Sequence, residues 1–337
     1  MKNSIFRSVA AALAWSALFA GVALAQGNDT RARQSSNLLA SLPPSDAVAL
    51  IKVKRVIAEA LPNLLAENPA RVTEVSEELA KFKTQTGIDP RSFDEIALGM
   101  SFTYPSQRIT KVNTIAIASG TFNAGAMVAA GRLAANGKYA EQKFQGKTIY
   151  LFSLDREMKL LGLWNLKIGD LAVTSLTGNT LAMGSLESVK GAIEASRTRK
   201  FANPQLIALA SRDPNAIMGF GGNVSEALMQ NLRASNDRWA RELTAVRQVY
   251  GSVGMTSADL EVMLAAKTVD PASAKNLSDT LEGLVQLGTL FLGRLSPVRE
   301  TLARSAMKNL KVTTVGNELQ IRTAVAQAQV APLIRGF

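Results

Sequence analysis

Two segments with the same outline decide the predicted fold: LTGNTLAMGSLESVKGAI (residues 176–193) and TVGNELQIRTAVAQAQV (residues 314–330). Each places a Gly-Asn pair between two short apolar-rich runs, and a helical pattern follows. A glycine-asparagine pair between such runs is typical of a β-hairpin turn. In the first segment Ser185 stands where a helix N-cap is expected. We therefore predict a hairpin followed by a helix at both places.

Other segments recur in the same order along the chain. Residues 45–61 match residues 214–228, residues 99–103 match 254–258, residues 114–131 match 260–277, and residues 173–183 match 312–321. Ordered matches of this kind indicate an internal repeat. The predicted fold class is α+β, with two tandem related units, each of antiparallel strands with helices packed on one face. The units are expected at residues 38–200 and 201–337, and whether their sheets merge stays open.

The first 25 residues resemble a secretory signal peptide. Lys2 and Arg7 precede an apolar run, and Ala23-Leu24-Ala25 has the small-x-small form of a cleavage site. The alternative is an uncleaved membrane anchor, for which the apolar run is short. We expect cleavage after Ala25, a flexible leader over residues 26–37, and a periplasmic or extracellular location.

The composition excludes several function classes. The 337 residues contain no histidine and no cysteine, which removes Ser-His-Asp triads, Cys-His pairs, His-ligated zinc and disulfides. The glycines at 178, 184 and 191 do not have the spacing of a dinucleotide fingerprint, and no Walker motif is present. The carboxylates at 74, 77 and 78 have the spacing of a solvated helix face. We expect no cofactor, no metal and no catalytic site, and a carboxylate-based hydrolase is the enzymatic alternative.

The charge is basic but evenly spread. Cleavage would remove Lys2 and Arg7 and lower the formal charge from +11 to +9. Nucleic-acid binders usually concentrate basic residues on one face and interleave aromatics, which make up only 6% here. We expect no nucleic-acid partner and, at most, a peripheral attraction to anionic envelope surfaces.

Two segments contain weak candidates for a ligand site. GFGGN (residues 219–223) is expected between a strand and a helix, where the backbone N–H groups of Gly221, Gly222 and Asn223 could hold a small anion. The alternative is that these glycines allow close packing. Trp164, in WNLKIGD (residues 164–170), could line a ligand groove or close one end of the core.

The most apolar segment of the second unit is LEGLVQLGTLFLGRL (residues 281–295), inside a predicted helix over residues 272–294. Six residues of this region, from the predicted helix to the end of the segment, follow one helical seam: Leu277, Leu281, Leu284, Gly288, Phe291 and Leu295. The segment is too short to span a bilayer and contains Glu282. It is expected to be the main core helix of the second unit, or else to dock a partner helix or a membrane surface.

The chain resembles uncharacterised exported bacterial proteins with a duplicated α+β domain of unknown function. The segments that carry this resemblance are LPPSDAVALIKV after the signal peptide, TGID at 86–89, FQGKTIYLF and GNTLAMGSLESVKGAIE. The resemblance implies fold and location and brings no catalytic residues. We expect an exported, non-catalytic binding or scaffold protein of the bacterial envelope whose partner is an unidentified protein. The alternative is a periplasmic carrier or sensor of a lipid or other hydrophobic ligand.

Overall fold

The structure is a computed structural model that describes residues 38–66, 68–106, 109–160, 164–198, 201–225, 242–289 and 292–330. The expected signal peptide and leader lie outside these residues. The strands are β1 Ala47–Ile51, β2 Phe93–Ser106, β3 Ile109–Gly120, β4 Tyr139–Phe144, β5 Lys147–Leu160, β6 Trp164–Thr177, β7 Thr180–Gly184, β8 Met218–Asn223, β9 Val246–Met255, β10 Asp259–Thr268, β11 Lys311–Val315 and β12 Glu318–Ala326. The helices are α1 Val53–Arg55, a π-helical turn Val56–Ala60, α2 Leu61–Leu64, α3 Pro69–Thr86, α4 Ala124–Ala135, α5 Leu186–Thr198, α6 Pro204–Ala210, α7 Pro271–Thr289, α8 Pro297–Lys308 and α9 Gln327–Val330, with 3-10 turns at Pro90–Ser92 and Leu292–Arg294.

All twelve strands form one antiparallel sheet. Its order is β11-β12-β10-β9-β8-β1-β2-β3-β7-β6-β5-β4. The central pair joins the two expected units, with Ala47 of β1 opposite Gly222 of β8 and Ile51 opposite Met218. The mixed α+β class with an antiparallel sheet is confirmed, and the open question of whether the sheets merge is answered by this central pair.

Helices pack on both faces of the sheet, so the prediction that they share one face is wrong. Helix α4 packs with Val173 and Leu181, whereas α5 packs with Ala172 and Ala182. Neighbouring residues of a strand point to opposite faces, which places α4 and α5 on opposite sides. The physical reason is that both faces of these strands are apolar and must both be covered. We refer to the two sides as the α4 face and the α5 face.

The same arrangement occurs around the strands of the second half. Helix α6 packs with Tyr250 and Ala265 in the cluster that also contains the α5 contacts. Helix α7 packs through Leu277 with Leu319 of β12. The largest apolar core therefore lies on the α5 face and runs across the centre of the sheet.

Local signals in the sequence start and stop the elements as expected. The Asn68 side chain accepts a hydrogen bond from the Arg71 backbone N–H at the start of α3, and Gly87 ends that helix with a positive φ of 72°. Asn123 caps α4 through the Ala126 backbone N–H in the same way. The hairpin turns predicted at Gly178-Asn179 and Gly316-Asn317 join β6 to β7 and β11 to β12, and they are confirmed. A further turn at Gln145-Gly146 joins β4 to β5.

Candidate functional site

The segment 219–223 is not a connection between a strand and a helix, so that prediction is wrong. It is strand β8, which pairs with β1 on one side and β9 on the other. Gly221 lies opposite Val48 and Tyr250, and Gly222 lies opposite Ala47 and Val249. Backbone groups of a strand with a neighbour on each side bond to those neighbours, which leaves no cradle of free N–H groups of the kind expected at Gly221, Gly222 and Asn223.

The glycines of β8 instead allow α6 to pack directly on the backbone of the strand. A Cβ atom on Gly219 would lie 2.0 Å from the carbonyl oxygen of Ala210, and one on Gly221 would lie 2.8 Å from the Leu209 Cβ. Real Cβ contacts are essentially never shorter than 3.0 Å. The alternative interpretation of these glycines, close packing, is therefore confirmed for Gly219 and Gly221.

Trp164 is the first residue of β6 and lies opposite Leu160 of β5. Its side chain lies outside the described residues, so the groove and core interpretations of Trp164 both stay predictions. The structure does not bring it together with β8, because β6 is five strands away in the sheet order.

Only the first half of helix α7 has the core role that was predicted for the whole helix. Its first half is core: Ala274 is buried and Leu277 is 4% exposed. Its second half is not, since Leu284 is 49% and Leu287 is 56% exposed. The prediction that the apolar seam of residues 281–295 forms the main core helix is therefore wrong at Leu284 and Leu295. Gly288 and Phe291 of this seam lie outside the residues whose burial the structure describes.

The exposed apolar side chains continue past the end of α7. Leu295 is 40% and Val298 is 39% exposed, while Leu292 between them and α7 is buried. Single exposed leucines are common on protein surfaces, but three leucines and a valine exposed among the described residues from 284 to 298 form an unusual run. We call Leu284, Leu287, Leu295 and Val298 the apolar run of the α7–α8 connection.

A polar cluster lies near the other face of the same strands. Tyr250 of β9 is fully buried, and its hydroxyl donates a hydrogen bond to the Glu318 carboxylate. The Arg212 guanidinium donates to both the Tyr250 hydroxyl and Glu318, the latter at 3.2 Å, and stacks 4.9 Å from the centre of the Tyr250 ring. Gln320 also donates to Glu318.

The electrostatics of this cluster follow from these contacts. Burial and the neighbouring Glu318 carboxylate raise the pKa of the Tyr250 phenol well above its usual value. Burial raises the pKa of the Glu318 carboxyl, but hydrogen bonds from Tyr250, Gln320 and Arg212 lower it more, so the net pKa lies below the ordinary range. At neutral pH the cluster therefore holds a neutral phenol beside an ionised carboxylate that is paired with a cation.

The sequence patterns do not predict this cluster. Arg212 and Glu318 are 106 residues apart, and each lies in a segment with an ordinary turn or strand pattern. The only local hint is that Glu318 immediately follows the Gly316-Asn317 turn.

The described residues line at least two cavities. The larger has a volume of about 210 Å³ and lies between the residues after Leu42, strands β2 and β3, and α5, with Ser45, Ser101, Asn113 and Ser188 in its lining. The smaller has about 70 Å³ and lies between α2 and α3. Pockets that enclose a drug-sized ligand usually measure roughly 300 to 1,000 Å³. Both of these cavities lie below that range.

The described ranges lack two further features. Among these residues, no group of three or more acidic side chains has the arrangement of a metal site. Within the same ranges, no helix is both long and apolar enough to cross a membrane.

The fold and the surfaces above define an α+β protein with a single twelve-stranded antiparallel sheet. No protein-family model matches the chain, and no curated protein is significantly similar to it. Similar solved structures include crystal form IV of TP0453, with 10% identity and a TM-score of 0.45 over 90% of this chain and 99% of that one. Crystal form III of TP0453 has 10% identity and a TM-score of 0.44 over 88% and 96%. Values this low support no inference about the function of this chain.

Proposed function

We propose that the protein is an exported, non-catalytic binding protein of the bacterial envelope that docks a protein partner on the apolar run of the α7–α8 connection. The observation that carries the proposal is the change of exposure along one helical stripe. Leu277 is 4% exposed, whereas Leu284, two turns later on the same side, is 49% exposed. An apolar stripe that continues past its intramolecular contact is suited to a second surface.

The charges around the apolar run favour a protein partner over a lipid surface. Helix α7 carries Lys275, Asp279 and Glu282, so it has one base and two acids. Helix α8 adds three bases and one acid, of which Arg304 and Glu300 pair with each other. Helices that lie on anionic membranes are usually rich in lysine and arginine on their polar side. The two helices together are nearly neutral.

The lipid alternative has weaker support from the interior of the molecule. A carrier needs an enclosed apolar cavity, and the two cavities described above measure only about 210 and 70 Å³. In the lipid alternative we therefore place the ligand at the surface of α7.

We also propose that the chain is a duplication of one α+β unit, with export directed by residues 1–25. Strand order supports the duplication. Outward from the central pair, the first half runs β1-β2-β3-β7-β6 and the second runs β8-β9-β10-β12-β11. The sequence matches noted above link β1 with β8, β3 with β10 and the β6–β7 hairpin with the β11–β12 hairpin. The division near residues 196–204 remains part of this proposal.

The double substitution Leu284→Glu and Leu287→Glu is expected to weaken partner binding at least tenfold. Full burial of a leucine contributes about 1.5 to 3 kcal/mol, and two half-exposed leucines have roughly half of that left to gain. Stability should change by less than about 0.5 kcal/mol, because neither side chain is in the core. A photo-reactive residue at position 287 identifies the partner in the native envelope, and the affinity of the purified pair is then measured by calorimetry.

Leu133→Glu is the matched control. Leu133 is a leucine on α4 that is 82% exposed, far from α7 in the sheet order, and its replacement should leave binding unchanged. Cross-linking at 133 as readily as at 287, or equal affinity of both variants for the partner, would contradict the proposal. Flotation with phosphatidylglycerol vesicles that the double substitution abolishes would favour the lipid alternative instead.

A further inference from the structure

Strand β4 is one free edge of the sheet. In the described sheet it is the terminal strand and pairs only with β5, from Tyr139 opposite Phe152 to Phe144 opposite Lys147. It has six residues, no proline and no register shift in its pairing. A regular exposed edge offers a row of N–H and C=O groups to another strand.

The turn that follows β4 determines which backbone groups face outward. Gln145 and Gly146 both have positive φ, 46° and 80°, as in a two-residue type I′ hairpin. In such a hairpin the flanking pair, here Phe144 and Lys147, is hydrogen-bonded. Hydrogen-bonded positions alternate along a strand, so Gln142 also bonds to β5. The backbone groups of Glu141 and Lys143 therefore point away from the sheet.

This edge is complementary to itself. Two copies of β4 paired antiparallel about Gln142 place Glu141 of each copy opposite Lys143 of the other. Because Glu141 and Lys143 are the positions with outward backbone groups, this register also aligns their N–H and C=O groups for hydrogen bonds. Ala140 and Phe144 then lie opposite each other on the α5 face. Opposite charges directly across a strand pair are stabilising, and like charges are destabilising.

We propose that β4 is a homodimer interface, through which two copies of the chain join their sheets about a two-fold axis. A two-fold contact of this kind uses the same patch on both copies. Charge selects β4 over the opposite edge, β11. Self-pairing of β11 about Thr313 would place Lys311 opposite Val315, and this strand has no acidic residue. This proposal is independent of the proposed function of α7.

The dimer is expected to be weak and reversible. One short strand pair buries less surface than the standard interface of about 1,200 to 2,000 Å². Glu141 already has an ion pair with Arg132 at 3.3 Å, and both side chains are half-exposed, so the carboxylate can be shared with Lys143 of the second copy. Sedimentation of the purified processed chain should show a monomer at low concentration and a dimer at high concentration.

Two charge reversals test the register directly. In Lys143→Glu, positions 141 and 143 are both glutamate, and in Glu141→Lys both are lysine. Like charges then face each other across the strand pair, so each variant alone should lose the concentration-dependent dimer. A one-to-one mixture of the two variants should recover it, because every glutamate then faces a lysine. Thermal melting of each variant verifies that the fold is intact, which matters for Glu141→Lys because it also removes the ion pair with Arg132.

Lys311→Glu on β11 is the control and should leave the dimer unchanged. The proposal is overturned if the wild-type chain stays monomeric at its highest soluble concentration. It is also overturned if both variants dimerise like the wild type, or if their mixture does not recover the dimer. A monomeric wild type that binds extended peptides would assign the edge to a different protein strand.

Discussion

Gly219→Ala is expected to destabilise the protein by more than about 3 kcal/mol, at or beyond the upper range for overpacking a core. The added Cβ would lie 2.0 Å from the carbonyl oxygen of Ala210. That oxygen belongs to the backbone of α6, and Gly219 itself is held between Leu50 of β1 and Ser252 of β9. Strand β8 cannot move without breaking the central strand pairs, and α6 cannot move without leaving the core. Chemical denaturation followed by circular dichroism measures the change.

Gly222→Ala, in the same strand, is the matched control. Its Cβ would meet the Ala47 Cβ at 3.2 Å, a tight contact with a small side chain, and not with backbone. Gly178→Ala adds a Cβ with no atom within 4 Å and should be close to neutral. A Gly219→Ala protein as stable as the Gly222→Ala protein would mean that α6 does not pack on β8 as described.

Glu318→Gln is expected to cost about 1.5 to 3 kcal/mol at pH 7, the range for hydrogen bonds to a charged group. The substitution keeps the shape of the side chain but removes the charge that accepts hydrogen bonds from Tyr250, Gln320 and Arg212. The Glu318 side chain is only 13% exposed, so water can replace few of the lost hydrogen bonds. Arg212 is 46% exposed, so the ion pair with Arg212 contributes less to stability than the buried contacts. Urea denaturation of both proteins gives the difference.

The pH dependence of this difference has a definite sign. The folded pKa of Glu318 is lowered from its ordinary value of 4.5. Folding therefore favours the ionised form, and the stabilisation is fully present above pH 4.5 and is lost as the pH falls through the lower folded pKa. The stability of the wild type should converge on that of Glu318→Gln in this acidic range.

The difference in stability between the wild type and Glu318→Gln does not contain the contributions of the other acidic groups, because these groups are the same in both proteins. The pKa of Asp89 is also lowered, after the opposing effect of burial, by its hydrogen bonds from Lys83 and Arg91, but Asp89 is the same in both chains. A difference that stays constant from pH 7 to well below pH 4.5 would contradict the lowered pKa of Glu318. Tyr250→Phe should also be less stable than the wild type at pH 7, because it removes one of the three hydrogen-bond donors to the Glu318 carboxylate.

Most of the local structure was predictable from short stretches of sequence. The caps at Asn68 and Asn123, the C-terminal glycine of α3 and the hairpin turns each depend on a few adjacent residues. The α+β class also follows from the predicted hairpins, because a hairpin pairs its two strands antiparallel. The same patterns misplaced residues 219–223, because a glycine-rich run is expected in a turn and here it is a strand under a helix.

The candidate surfaces were only partly predictable. The apolar stripe of α7 is visible in the sequence, but periodicity does not say where the sheet beneath the helix ends. Leu277 and Leu284 have equivalent positions on the helix and differ in exposure only because of what lies below them. The free edge at β4 requires the full strand order, which no segment contains.

The sequence by itself determined several local features of this chain, namely helix caps, a helix end and hairpin turns. These features depend on backbone conformation and on hydrogen bonds within a few residues. Only the tertiary structure decided that β1 and β8, about 170 residues apart, join both halves into one sheet. It also decided that Arg212, Tyr250 and Glu318 meet. Such contacts depend on the burial of whole faces against one another, and many arrangements satisfy the same local pattern until the core is closed.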